Sequence, residues 1–177
     1  MSKRTSLTFV LIGFLFSLLT SLSPAEPNVW PIWKAETSTG EMFSSQQFEG
    51  KVAVISVWAS WCPSCRRQLP VLNNLQKRMG PDSIQVLAFS FDRSKRTHKT
   101  YIEKSGVELP CIYARSGDGL EVVKELQKGA GRLEAVPILL IYDKRGRLAH
   151  RLVGFFDHGK LEDLIRPLTA ERVDEIQ

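Results

Sequence analysis

Two cysteines in "ISVWASWCPSCRRQLP" (residues 55–70) stand with two residues between them. Cys62 and Cys65 suit three kinds of chemistry: a dithiol/disulfide couple, half of a metal site, or a staple across a turn. Pro63, between them, suits the first turn of a helix, where its missing N–H costs nothing. Cys62 then lies at the positive end of a helix dipole, among unpaired amides. Such groups stabilise a thiolate and lower its pKa, by about one to five pH units in comparable motifs. Cys65 falls on the same face one turn deeper. From there it can close a small disulfide ring or attack a mixed disulfide at Cys62. The expectation is an exposed nucleophile at Cys62 and a buried resolving thiol at Cys65.

The alternatives are weaker on their own terms. A structural disulfide across so short a loop gives little chain-entropy stabilisation, and the flanking Trp58, Trp61 and Pro63 fit a redox site. Zinc needs more ligands, and only Cys111, His98, His150 and His158 remain, at no ligand spacing. Haem attachment needs a His after Cys65, where Arg66 stands. Copper chaperones with paired cysteines usually space them further apart. No metal or other cofactor is expected. Cys111 reads as a small buried hydrophobe, with a reactive or interchain thiol as the alternative. Trp58 reads as core, Trp61 as part core and part substrate rim, and Trp30 and Trp33 as packing for the amino-terminal strands. Lys95, Arg96, Lys99, Arg145 and Arg147 read as solvated faces, or else as a docking patch for an acidic partner.

The elements that must position the pair follow from hydrophobic patterning. "VAVISVW" (52–58) is apolar and β-branched throughout, a strand buried on both faces. Leu69, Leu72, Leu75 and Met79 recur at helical spacing after Pro63, and Gly80-Pro81 ends that helix. Pro70 lies inside it, clashing with the carbonyl of Arg66, so a kink is expected. Further strands are expected at 84–91, 109–114, 137–143 and 147–154, with a hairpin around Thr39-Gly40 at the amino-terminal side. Helices are expected at 94–105, from an Asp118 cap to about Lys128, and from an Asp157 cap to about Leu168. Strands separated by helices imply a parallel core, and the turn at 144–146 adds antiparallel strands. The fold class is α/β: a mixed sheet flanked by helices.

The 177 residues suit one domain, and 43% hydrophobic with 24% charged residues suits a packed core. The charge of +5 contains no basic run that would argue for nucleic acid. Lys3 and Arg4 precede an apolar stretch from Leu7 to Leu22, and Ser23 and Ala25 are small residues two apart. Residues 1–25 thus read as a cleavable signal peptide or an amino-terminal membrane anchor. Residues 26–32 form a lead-in, 33–169 the domain and 170–177 a polar tail. The domain is expected to be exported, in a periplasmic or other extracytoplasmic compartment, where dithiols oxidise unless something keeps them reduced.

"VWASWCPSC", Pro70 and the Val136-Pro137 pair opening a later strand resemble the thioredoxin superfamily. The hairpin, Gly50-Lys51 and an inserted βα unit at about 92–136 resemble its exported TlpA/ResA/DsbE branch. The resemblance implies thiol–disulfide exchange, a cis peptide before Pro137, and substrate docking against Trp61, Pro63, Val136 and Pro137. It implies reduction of exported disulfides, with apocytochrome c as one client class and a membrane thiol as electron donor or acceptor. Oxidase or isomerase activity, or a non-catalytic binding module, are the alternatives. Two positions depart from the pattern. Gln68 stands where the branch usually has Glu, and Ser56 where relatives have Asp or Asn. Neither can shuttle a proton for Cys65, so that thiol should deprotonate with little help, although Gln68 could still hydrogen-bond a thiol.

Overall fold

A computed structural model describes residues 30–115 and 117–171. The leader at 1–25, residues 26–29 of the lead-in and residues 172–177 of the tail lie outside the described residues. All seven residues of β3 (Val52–Trp58) are buried, as its two-sided apolar pattern requires. It pairs in parallel with β4 (Ile84–Ser90), and β4 in parallel with β5 (Cys111–Tyr113). On its other side β3 pairs antiparallel with β6 (Ile138–Tyr142), which pairs antiparallel with β7 (Leu148–Val153). The order is β5-β4-β3-β6-β7, a mixed five-stranded sheet. A separate hairpin of β1 (Lys34–Glu36) and β2 (Met42–Ser44) is joined to it by an antiparallel bridge from Thr37 to Ile112.

Helices cover both faces. Leu69, Leu72 and Leu75 of α1 (Pro63–Met79), Ile102 of α2 (Lys95–Ser105) and Leu161 and Ile165 of α4 (His158–Ala170) pack on Val54, Trp58, Val86 and Leu139. On the opposite face Val122, Val123 and Leu126 of α3 (Gly117–Ala130) join Phe43 and Phe48 against Ile55, Leu87, Phe89 and Leu140. Side chains buried this completely contribute about 1.5–3 kcal/mol each. Trp30 and Trp33 pack as expected, Trp30 against Phe48 and Tyr142, Trp33 against Phe43, Phe48 and Phe89. Ser94 and Asp157 cap α2 and α4, each accepting a bond from the third residue on. Asp118 does not cap α3: the helix already begins at Gly117, which puts the acid in its first turn. Ser45–Phe48 forms a 3₁₀ helix that the sequence pattern did not suggest. Pro70 lies within an uninterrupted α1. Among the described residues no helix is long and apolar enough to cross a membrane.

Strand direction gathers the site. Trp58 at the end of β3 sits beside Ser90 at the end of β4, and Ser90 beside Tyr113 at the end of β5. Because β6 runs the other way, its start is what lies here, with Val57 opposite Ile138. Four chain segments, following β3, β4 and β5 and preceding β6, therefore meet at one end of the sheet. In α/β folds ligands bind at this end.

Candidate active site

The turn leaving β3 is closed by the Cys62 N–H donating to Ala59 O at 3.1 Å. Cys62 is the N-cap of α1, and Pro63 opens the helix. The Cys62 Sγ accepts a hydrogen bond from the Cys65 N–H at 3.2 Å, one of the amides left unpaired at a helix start. A helix normally caps itself with an oxygen; here a sulfur holds that position, so negative charge on it is stabilised by both amide and dipole. The Ser64 hydroxyl lies 3.3 Å from the same sulfur. Cys62 and Cys65 are joined as a disulfide, their Cα atoms 5.2 Å apart.

Cys65 is fully buried, as expected, but Cys62 is only 5% exposed. The expectation of an exposed sulfur is corrected by its surroundings. It is bonded to Cys65 and capped by Ser64, and it lies 3.8 Å from the carbonyl oxygen of Val136, a position into which a reduced thiol can donate. The exposed group beside it is Trp61, 60% accessible. Trp58, by contrast, is fully buried against Tyr101 and His98.

The Val136–Pro137 peptide is cis. Val136 is half-buried, whereas Pro137 is buried and its carbonyl accepts from the Gly154 N–H at 2.9 Å. Trp61 and Val136 share the wall of a cleft of about 480 Å³ with Phe91, Arg115, Leu133 and Glu134. The inserted unit and the loop before β6 provide most of this wall. No spacing in the sequence singled out Phe91, Arg115, Leu133 and Glu134, because they come from three separate loops, after β4, after β5 and before β6. Glu134 is ion-paired with Arg132. Pro63 is exposed and does not line this cleft.

Ser56 and Gln68 are both fully buried near the pair's side of the sheet. Among the described residues the Ser56 hydroxyl has no hydrogen-bond partner. Gln68 does not bond a thiol. Its amide N–H donates to Phe156 O at 3.1 Å and its carbonyl accepts from Phe156 N–H at 2.8 Å, so both ends are committed to the loop after β7. Arg67 places its guanidinium over the neighbouring Phe155 ring, 4.9 Å from its centre. The basic residues considered as a docking patch are largely paired: Lys95 with Glu36, Lys99 with Glu103, Arg147 with Asp143. Cys111 is buried in the core, its thiol pushed up to about 12 by loss of solvent.

The sequence reading missed Asp92. This fully buried residue takes hydrogen bonds from the backbone and hydroxyl of Ser60, inside the turn that carries the cysteines. A carboxylate two residues past a buried strand, at the sheet end where sites form, was the available signal.

The AhpC/TSA family profile matches residues 28–151. The chain is 21% identical to "Thiol-disulfide oxidoreductase ResA" of Bacillus thuringiensis subsp. konkukian, over 73% of this chain and 70% of that protein. It is 20% identical to "Sporulation thiol-disulfide oxidoreductase A" of Bacillus subtilis, over 99% and 97%. Among solved structures, a thiol:disulfide interchange protein of the thioredoxin family from Chlorobium tepidum superposes with a TM-score of 0.72 at 21% identity, covering 82% of this chain and 99% of that one. That likeness is one of fold.

Proposed function

We propose, from the premise that this chain belongs to the AhpC/TSA family and is a thiol–disulfide oxidoreductase of the ResA and DsbE type, that Cys62 and Cys65 are its exchanging pair. The observation that carries the reading is the Cys62 sulfur capping α1, within reach of Cys65 and beside an open cleft. In the reducing direction the Cys62 thiolate attacks one sulfur of a client disulfide. A new S–S bond forms, and the client's other sulfur leaves as a thiolate that takes up a proton. Cys65, losing its proton, attacks the Cys62 sulfur and releases the second client thiol. Two electrons and two protons pass to the client, and the Cys62–Cys65 disulfide remains.

Trp61, Pro63, Val136 and Pro137 shape the docking region. Trp61 and Val136 form its walls, Pro63 is exposed next to Cys62, and the buried Pro137 fixes where the Val136 carbonyl points. An extended client backbone can lie along this loop, with the side chain next to its cysteine in the cleft. Ser56 and Gln68 set the surroundings of Cys65 without offering a proton acceptor. The compartment is extracytoplasmic, on the leader's pattern of Lys3 and Arg4 before an apolar run, and that leader is a signal peptide or an anchor. The clients are exported proteins with disulfides, apocytochrome c among them, and a membrane thiol restores the dithiol.

Cys62→Ser tests the pair. It should abolish reduction of a disulfide-bonded peptide by the dithiol-charged protein, while Cys65→Ser should accumulate a mixed disulfide between Cys62 and the peptide. Exchange that survives Cys62→Ser would overturn the assignment. Equilibration with a glutathione buffer gives the direction: a potential near that of thioredoxin, about −270 mV, fits a reductase.

A further inference from the structure

Asp92 is a buried carboxylate that no step of the exchange uses. Its Oδ1 accepts from the Ser60 N–H at 2.9 Å and from the Ser60 hydroxyl at 2.7 Å. Its Oδ2 accepts from the Ser90 hydroxyl at 2.9 Å, and its own N–H donates back to Ser90 Oγ at 3.2 Å. Burying a carboxylate costs several kcal/mol unless hydrogen bonds replace its water. Here the replacements are two hydroxyls and an amide. The titratable groups facing it are His98 and Tyr101 of α2, with Lys95 beside His98 and Arg66 of α1 beside Tyr101. Burial holds His98 below its ordinary value of 6.5, so at pH 7 it offers no counter-charge.

Ser60 belongs to the short turn that ends at Cys62, and the Phe91 N–H donates to Trp58 O at 2.8 Å just behind it. The loop after β4 thus grips the end of β3 at Trp58 and the following turn at Ser60, and the stronger grip is the carboxylate. We propose that Asp92 is a positioning residue for the exchange: through Ser60 it holds the 59–62 turn so that the Cys62 sulfur stays aligned with the amides opening α1. The inference rests on Cys62 being the exchanging sulfur. Two consequences of the carboxylate oppose each other. Alignment with the amides lowers the thiolate pKa, whereas a nearby negative charge raises it. On this proposal alignment wins, which fixes the sign of the test.

The experiment is the pH profile of Cys62 alkylation in the reduced full chain, for the wild type, Asp92→Asn, Ser60→Ala and the double variant. Asp92→Asn should move the midpoint upward and slow alkylation at pH 7 by about three- to tenfold. Ser60→Ala keeps the carboxylate and its backbone bond, so it should move the midpoint the same way by less. The double variant should go no further than Asp92→Asn, because both act through one network. The reduction potential should become more negative, by about 30 mV for a tenfold change. A midpoint that falls in Asp92→Asn would mean the carboxylate acts only as a through-space charge. Unchanged midpoints with a lowered melting temperature would mean it only supports the fold. Either result overturns the proposal, and if Asp92→Asn does not fold, Ser60→Ala decides alone. Failure of the function reading looks different: the wild type itself would then alkylate no faster than a free thiol and exchange no electrons.

Discussion

Gln68 and Phe156 form a closed pair of hydrogen bonds, side-chain amide to backbone amide, that ties α1 to the loop following β7. The pair is one turn below Cys65 and fully buried on the Gln68 side. A Glu in this place has no hydrogen to give the Phe156 carbonyl unless its carboxyl is protonated and donates its O–H.

Gln68→Glu should therefore destabilise the protein at pH 7 by about 1–3 kcal/mol. Burial raises the introduced carboxyl above its unfolded value of about 4.3. For an acid with a raised folded pKa the loss is absent below the unfolded value and grows as pH climbs through the folded one. Urea unfolding at pH 4 and pH 7 measures this. A variant equally stable relative to wild type at both would show that the Phe156 bonds do not hold the loop.

His98 should make the wild type less stable as pH falls below 6.5. Burial lowers its folded pKa, partly offset by the Asp92 carboxylate, so below 6.5 the unfolded chain binds a proton that the folded one refuses. The slope is at most about 1.4 kcal/mol per pH unit. His98→Phe, filling the slot between Trp58 and Tyr113, should flatten urea-derived stability between pH 6.5 and 5. Glu162 cannot mimic this. Its carboxyl is lowered, first by its bond from Arg166, so its contribution is present above 4.5 and lost only as pH falls further.

Cys111 should stay silent. With its thiol near 12 and no exposed surface, the native reduced protein should lose Cys62 to iodoacetamide at neutral pH while Cys111 reacts only after denaturation. Cys111→Ala should leave exchange rates unchanged and cost about 1–2 kcal/mol of stability. Peptide mass mapping after native labelling checks the first point, and prompt modification of Cys111 would contradict it.

Gly119 and Gly129 in α3 should respond oppositely to alanine. A Cβ on Gly119 would stand 2.1 Å from the carbonyl oxygen of Tyr113 and 2.9 Å from Ile112 Cγ2, so the helix must move off β5. Gly119→Ala should cost about 1–3 kcal/mol or more. A Cβ on Gly129 meets nothing within 4 Å among the described residues, and Gly129→Ala should gain about 0.5–1 kcal/mol from helix propensity. Thermal melts of the two variants decide this. Equal effects would mean that α3 does not press on β5.

The sequence by itself determined whatever depends on neighbours along the chain. The continuous apolar run at 52–58 marked a strand buried on both faces, Leu69, Leu72 and Leu75 marked the buried stripe of α1, and Pro63 after Cys62 marked a helix start with a sulfur at its cap. These are local matters of side-chain spacing and backbone preference, and they put Cys62 at the helix cap and Cys65 inside the helix. What only the tertiary structure decided is which distant segments stand beside them. Strand patterns carry no direction, yet direction brings Val136 to Cys62 and Arg115 to Trp61's cleft. Likewise Asp92 carries no local signature of a clamp, since its partners Ser60 and Ser90 come from the ends of two strands that become neighbours only when the sheet forms. Accessibility followed the same rule. Cys62 looks open in a list of residues, but it is nearly closed once Ser64, Val136 and Cys65 pack around it, because burial belongs to the assembled surface.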